Sequence, residues 1–237
     1  MRKTFLIAAA CLSVSCIKAD FNKDLLAVIS EDHQLKTSAY LTFENSSGDL
    51  EIIEWDNDFT RIETSIYGDS STGVPEDLQV NIIPSPDGID CSVDYPNGMY
   101  TCSVDFLVTV PKNSDLTIES ATVNGDIEII ADADVLVETV NGDITLEVFS
   151  SSGLSTTNGD IRAELAFQSS SAEIETVNGD VDLTLPAGLS VAAETVNGGI
   201  SFMEEIHEDR LDIEGSGIET IRIETVNGDV SLSCVEE

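Results

Sequence analysis

The chain has 237 residues, 41% of them hydrophobic but only 5% aromatic, and 45 Asp plus Glu against 10 Lys plus Arg give a net charge of −35. That balance excludes nucleic acid as a partner, because phosphates need a basic face, and it opposes an electrostatic grip on anionic lipid. The apolar fraction excludes a wholly disordered acidic tail, so the chain reads as a folded body with an acidic skin and a core of Val, Ile, Leu and Ala.

Residues 1–19 open with Arg2 and Lys3, continue into an apolar run from Phe5 and end in small residues. This is the layout of a bacterial export signal, too short to be a membrane span. Two cleavage outcomes fit. "SVSC" makes Cys16 a candidate for lipidation, with Ser13 where Leu is usual; ordinary cleavage would follow Ala19.

Residues 20–112 form a less regular β-rich part. "NKDLLAVISEDHQL" (22–35) is compatible with one short helix, and it contains His33, one of only two histidines. "AYLTF", "DLEIIEW", "TRIETSIY", "LQVNII" and "DFLVTV" then read as short strands between Gly, Pro, Asp and Ser. "CSVDYPNGMYTC" predicts a hairpin about Tyr-Pro-Asn-Gly that sets Cys91 opposite Cys102, and an oxidising envelope would join them as a disulfide. Cys234 shares the alternation of Val230 and Leu232 and is expected to be buried and inert.

From residue 113 the sequence repeats. "ETVNGDV" stands at 175–181 and again at 224–230, with near-copies at 121–127, 138–144, 155–161 and 194–200. The turn residues are Asn124 and Gly125, Asn141 and Gly142, Asn158 and Gly159, Asn178 and Gly179, Asn197 and Gly198, and Asn227 and Gly228. The glycine intervals are 17, 17, 20, 19 and 30, which calls for a repeat architecture. In "AEIETVNGDVDLTL" Ile174, Thr176, Val181, Leu183 and Leu185 alternate with Glu173, Glu175, Asp182 and Thr184, so each repeat is strand, corner, strand and second turn.

An antiparallel meander satisfies that alternation, but it leaves one apolar face uncovered. A solenoid coils that face onto itself and stacks like residues, Thr139 near Thr156 and Thr176, and Asn141 near Asn158 and Asn178. Glycine is expected to supply the backbone conformation of the corner. The fold class is therefore all-β, a parallel β-solenoid over 113–237.

At "VPKNSDLTIESATVNGDIEI", the serial "TVNGD" copies and "SSGDLEIIEW" (46–55), the chain resembles the bacterial β-strand-repeat family of "putative adhesin" domains, whose function is unknown. The resemblance implies a right-handed parallel β-solenoid of the single-stranded β-helix type, exported or membrane-attached, with no catalytic residues. Gly199 in place of Asp, Thr157 in place of Val and the long last interval depart from the pattern.

The corner acids Asp126, Asp143, Asp160, Asp180 and Asp229 are the candidate metal ligands, forming a carboxylate column suited to calcium. The competing reading is that Asp is a favoured turn residue facing water, and the glycine-richer calcium loop of other solenoids is absent. No further cofactor is expected. His207 lies among acids in an insertion, 203–217, expected to leave the scaffold as a loop. Val123, Val140, Val177, Val196 and Val226 form an outward stripe, and the chain end is expected to leave an uncapped last rung guarded by Glu236 and Glu237.

Beyond residue 112 the basic residues are Arg162, Arg210 and Arg222, too few for a lyase of acidic sugars, and no nucleophile–base constellation stands out. The leading reading is a non-enzymatic, adhesin-like protein of the periplasm, outer membrane or cell surface of a bacterium, presenting an acidic face to an envelope or surface protein or a glycan. Any membrane attachment would come through a lipid anchor. An envelope scaffold or sensor that binds a protein partner is the alternative, and a polysaccharide-active enzyme comes last.

Overall fold

The computed structural model describes residues 24–36, 38–95, 102–167, 171–203, 205–215 and 220–234. The export-signal reading of 1–19, Cys16, the Pro-Asn-Gly turn after Tyr95, and Glu236 and Glu237 lie outside the described residues. No α-helix occurs among those described.

Among the described residues nineteen strands form one continuous, mostly parallel sheet that folds around a single core. Its unit is a rung: a strand, a sharp corner and a second strand, with apolar residues of both pointing inward. The repeat rungs are β8 (Asp115–Ala121) into β9 (Ile127–Glu138), β9 into β10 (Ile144–Asn158), β10 into β11 (Ile161–Leu165), β12 (Ala172–Asn178) into β13 (Val181–Leu185), β14 (Ser190–Asn197) into β15 (Ile200–Phe202), and β18 (Thr220–Asn227) into β19 (Val230–Cys234). β9 and β10 each contribute to two rungs, because they bend past the small buried residues Ala131, Ala133, Ser150 and Ser151 without a loop.

Two rungs precede these. β2 (Ser38–Glu44) into β3 (Leu50–Trp55) stacks directly on β8 and β9, while β6 (Gly88–Asp94) and β7 (Cys102–Pro111) form the outermost rung beyond it. The core is aliphatic, with Ile52, Ile118, Ile129, Ile144, Ile161, Ile174, Ile223 and Val230 fully buried. Phe43 and Phe106 supply an edge-to-face aromatic pair, centroids 5.8 Å apart. A thin two-sided core has little room for bulk, which accounts for the scarcity of aromatic residues.

Spatial order departs from chain order. β18 pairs in parallel with both β12 and β14, and β19 with both β13 and β15. The last rung of the sequence is therefore interior, inserted between two earlier ones, and the expectation of an uncapped C-terminal edge is wrong. The insertion is no free loop either. β16 (Glu205–His207) pairs antiparallel with β15 and β17 (Arg210–Ile213) antiparallel with β14. At the opposite end β5 (Gln79–Ser85) lies antiparallel on β6, and β4 (Thr60–Gly68) antiparallel on β7. A parallel stack with bare ends would invite further rungs, and antiparallel strands of different register blunt both ends.

Residues 24–33 are a strand, β1 (Asp24–His33), antiparallel to β4, and not the short helix the apolar run allowed. Val28 and Ile29 are β-branched, and pairing with β4 overrides the weak helical pattern. Arg61 of β4 fixes β1 through a two-pronged bond to Asp32, at 2.7 and 2.9 Å, while its guanidinium lies 5.4 Å from the Trp55 and Phe59 ring centres.

The disulfide hairpin is also corrected. β6 pairs with β2 and β5, whereas β7 pairs with β3 and β4, so Cys91 and Cys102 are not on partner strands. Both are buried free thiols. Cys234 is free and only half-buried.

The glycines make a sharp test of this stacking. A Cβ on Gly198 would stand 2.0 Å from the Gly228 carbonyl oxygen, whereas one on Gly199 meets nothing nearer than Asp229 Oδ1 at 3.8 Å. Gly198→Ala is expected to cost about 3 kcal/mol or more and Gly199→Ala less than about 0.5 kcal/mol, read from urea unfolding midpoints at unchanged m. Equal effects at these adjacent positions would refute the packing.

Candidate functional site

Each letter of Thr-Val-Asn-Gly-Asp has a separate physical task. In space the corners run Asn124, Asn141, Asn158, Asn178, Asn227 and Asn197, and each amide donates from Nδ2 to Oδ1 of the one before, at 2.8–3.0 Å. Asn124 ends the ladder by donating to the Ser46 carbonyl at 3.2 Å. The threonines are buried, and all but Thr122 donate their hydroxyls to glycine carbonyls of the preceding rung, Thr156 to Gly142 and Thr176 to Gly159 at 3.1 Å each, and Thr195 to Gly228 at 3.0 Å.

Glycine is required for space. None of the six motif glycines has a positive φ, which corrects the expectation of a special backbone conformation. A Cβ on Gly125, Gly142, Gly159, Gly179 or Gly228 would stand 1.9–2.0 Å from the carbonyl oxygen of the glycine one rung away. The exception lies one rung earlier at Gly48, with φ +130° and a Cβ position 2.1 Å from the Val104 carbonyl oxygen.

Aspartate supplies the acceptor for a peptide N–H. Asp126 Oδ1 accepts from the Asp143 amide at 2.8 Å, Asp143 from Asp160 at 2.8 Å, Asp160 from Asp180 at 2.8 Å, and Asp180 from Asp229 at 2.7 Å. Asp229 accepts from Gly199 at 2.7 Å. Two residues that the repeat motif does not reveal extend this file, since Asp49 accepts from Asp126 at 2.9 Å and Asp105 from Asp49 at 3.1 Å. "SSGD" before β3 was a legible hint of Asp49; Asp105 stands in "SVDFL", with no corner signature.

Gly199 now has a reason. Its corner ends the spatial file, so no further rung presents an N–H for a side chain there to accept. The order of corners, and not their sequence position, decides which one can lose its acid.

The five candidate ligands therefore stand in one column, but each carboxylate already spends an oxygen on a neighbouring peptide. Among the described residues no three or more His, Cys, Asp or Glu side chains come together in a group that could hold a metal. His33 lies 3.3 Å from Glu31, and His207 sits on β16 opposite Ile200. Burial, with Asp90 and Glu31 adding to it, pushes the Cys91 thiol up to about 12, far from a reactive thiolate.

The outward face beside the corners carries the valine stripe. In space it runs Val123, Val140, Thr157, Val177, Val226 and Val196, all five valines exposed and Val196 the most, at 71%. Next to it stand Glu175, Glu224 and Glu194 on successive strands. Arg210 pairs with Glu194 and Asp212, and Arg222 with Glu224. Val177, Val226 and Val196, with Glu194, Asp209 and Arg210, line a groove of about 640 Å³, which is where the insertion meets the repeats.

Partial burial, helped by Glu173 and Glu224, raises the Glu175 carboxyl above the usual carboxylate range. The folded state thus binds this proton more tightly than the unfolded chain. Its stabilising contribution is present at low pH and is lost as pH rises from about 4.5 through the raised value. Glu175→Gln is expected to raise the melting temperature at pH 7 and to flatten this part of the pH profile, with little change at pH 4. A pH-independent effect would contradict the assignment.

Calcium, magnesium and sodium at matched ionic strength are expected to raise the melting temperature equally, through screening of the acidic surface. A saturating, calcium-specific rise, abolished by a chelator and reduced by Asp143→Asn with Asp160→Asn, would instead make the aspartate file a cation site.

No curated protein matches the chain. Among solved structures it is similar to a "putative cell adhesion protein" from Clostridium sporogenes, at 11% identity over 88% of this chain and 100% of that one, with a TM-score of 0.44. A "putative adhesin" from Bacteroides fragilis matches at 13% identity over 87% and 97% of the two chains, with a TM-score of 0.41. Residues 130–233 match the model of the family described as Toastrack DUF4097. That stretch holds five of the six stacked corners, and over it the repeat region of this chain is similar to the Toastrack DUF4097 family.

Proposed function

We propose that this is a non-enzymatic, adhesin-like protein, exported to the envelope or surface of a bacterium, in which a stiff coil presents an acidic face to a surface protein or glycan. In this reading residues 1–19 are the export signal, 20–112 supply the opening rungs, and 113–237 form the repeat solenoid, right-handed in its coil. The observation that carries it is the commitment of the repeated polar side chains. Thr, Asn and Asp at the corners, Thr122 apart, are bonded to the neighbouring rung, which leaves the outward files of Glu and Val as the surface open to a partner. A rigid array spaced at about 4.8 Å per strand loses little entropy on binding an extended partner.

A second reading, an envelope scaffold or sensor that binds a protein, is favoured by the groove where Asp209 and Arg210 flank Val177, Val226 and Val196. It is a concave place on the face, and it differs from the plain repeats.

Display of the chain on a non-adherent bacterium tests the proposal. Adhesion to protein-coated or glycan-coated surfaces is expected to rise severalfold over the undecorated cell. Replacing Glu138, Glu175, Glu194 and Glu224 by Gln should abolish the gain without loss of fold by circular dichroism. Adhesion unchanged by display would sink the adhesin reading. Loss of binding on Val196→Asp alone would favour the groove.

A further inference from the structure

The last repeat of the sequence occupies an interior position. β14 and β15 follow β13 in the chain after four residues, yet they do not stack on β12 and β13. They stand two strand spacings away, about 9–10 Å, and β18 and β19 fill the gap. Without that repeat, the rest of the fold would present a slot with an unsatisfied parallel edge on each side.

The slot reads one sequence pattern. From one wall the terminal repeat takes bonds through Thr225 to the Gly179 carbonyl, Asn227 to Asn178 and the Asp229 amide to Asp180. To the other wall it offers acceptors at Gly228 for Thr195, Asn227 for Asn197 and Asp229 for the Gly199 amide. These are the bonds the neighbouring repeat rungs make, and residues 224–230 repeat 175–181 letter for letter. Nothing in this chemistry distinguishes the chain's own repeat from the same repeat of another molecule. Residues 214–219 join the repeat to β17 along the sequence.

We infer that this slot is a docking site for a second copy of the chain, which donates its terminal repeat, 220–234, in exchange. Own-chain closure wins when the chain is dilute, because the link keeps the repeat at high effective concentration. Exchange grows with concentration during folding, and it joins two copies through contacts already present in the monomer.

The full chain, in a Cys11→Ser, Cys16→Ser, Cys91→Ala, Cys102→Ala, Cys234→Ser background, carries the test. Val177 and Val226 lie opposite each other on β12 and β18, as their flanking pairs Thr176–Thr225 and Asn178–Asn227 show. One preparation bears Val177→Cys and a second, differently tagged, bears Val226→Cys. After unfolding they are refolded together and oxidised. An interchain disulfide between the two tags is expected, and a tenfold higher concentration should raise its yield about tenfold while it remains the minor product. A single chain with both substitutions should crosslink internally and show that the geometry is right. No mixed-tag product at any concentration, with that internal crosslink present, would overturn exchange. So would an internal disulfide joining the two introduced thiols of a chain bearing Val177→Cys with Val196→Cys, because it would mean that the slot collapses rather than waits.

Discussion

The hydrogen bond from the peptide N–H at one corner to the aspartate of the next rung is the contact on which this architecture turns. A sharp corner in a parallel stack points backbone donors sideways, where the strand ladders cannot reach them. Aspartate is short enough to sit at the corner and accept one. Once it does, neighbouring corners are held close, and the remaining letters follow. A Cβ cannot fit between facing glycine backbones, asparagine amides come within reach of one another, and buried threonine hydroxyls find the glycine carbonyls. The motif is a set of mutual constraints, which is why it is copied as a block.

The same contact shapes the surface. One carboxylate per rung at about 4.8 Å sets up a repulsion of about 1 kcal/mol per neighbouring pair even in bulk water. Peptide donors on the Oδ1 atoms offset part of it, and basic residues are too few to offset the rest of a −35 charge. An acidic skin is thus partly a consequence of the scaffold. It also keeps copies of a molecule with long strands from adhering edge to edge, a task shared with the antiparallel strands at each end.

Much of this was legible in the sequence, and what was not has a common cause. Alternation of Ile174, Thr176 and Val181 with Glu173, Glu175 and Asp182 is local, so the two-faced strands, the six corners and the stacked Asn and Thr could be read directly. Pairing is not local. The sequence orders the corners Asn178, Asn197, Asn227, but the fold orders them Asn178, Asn227, Asn197, and the anomaly at Gly199 becomes intelligible only in the second order. Cys91 and Cys102 flank a turn-like stretch, yet their strands take partners elsewhere. "DLLAVISEDH" carries a weak pattern that its antiparallel neighbour decides. Asp105 belongs to the aspartate file by position in space, with no motif around it.

Amide hydrogen exchange in Asp160→Ala tests the central claim most directly, because the bonds have a direction. Asp160 accepts from the Asp180 amide, while the Asp160 amide itself donates to Asp143. The account predicts that exchange at the residue 180 amide accelerates more than tenfold, with the residue 160 amide, still held by Asp143, little changed. An unaltered residue 180 amide, or equal acceleration at every corner, would contradict it.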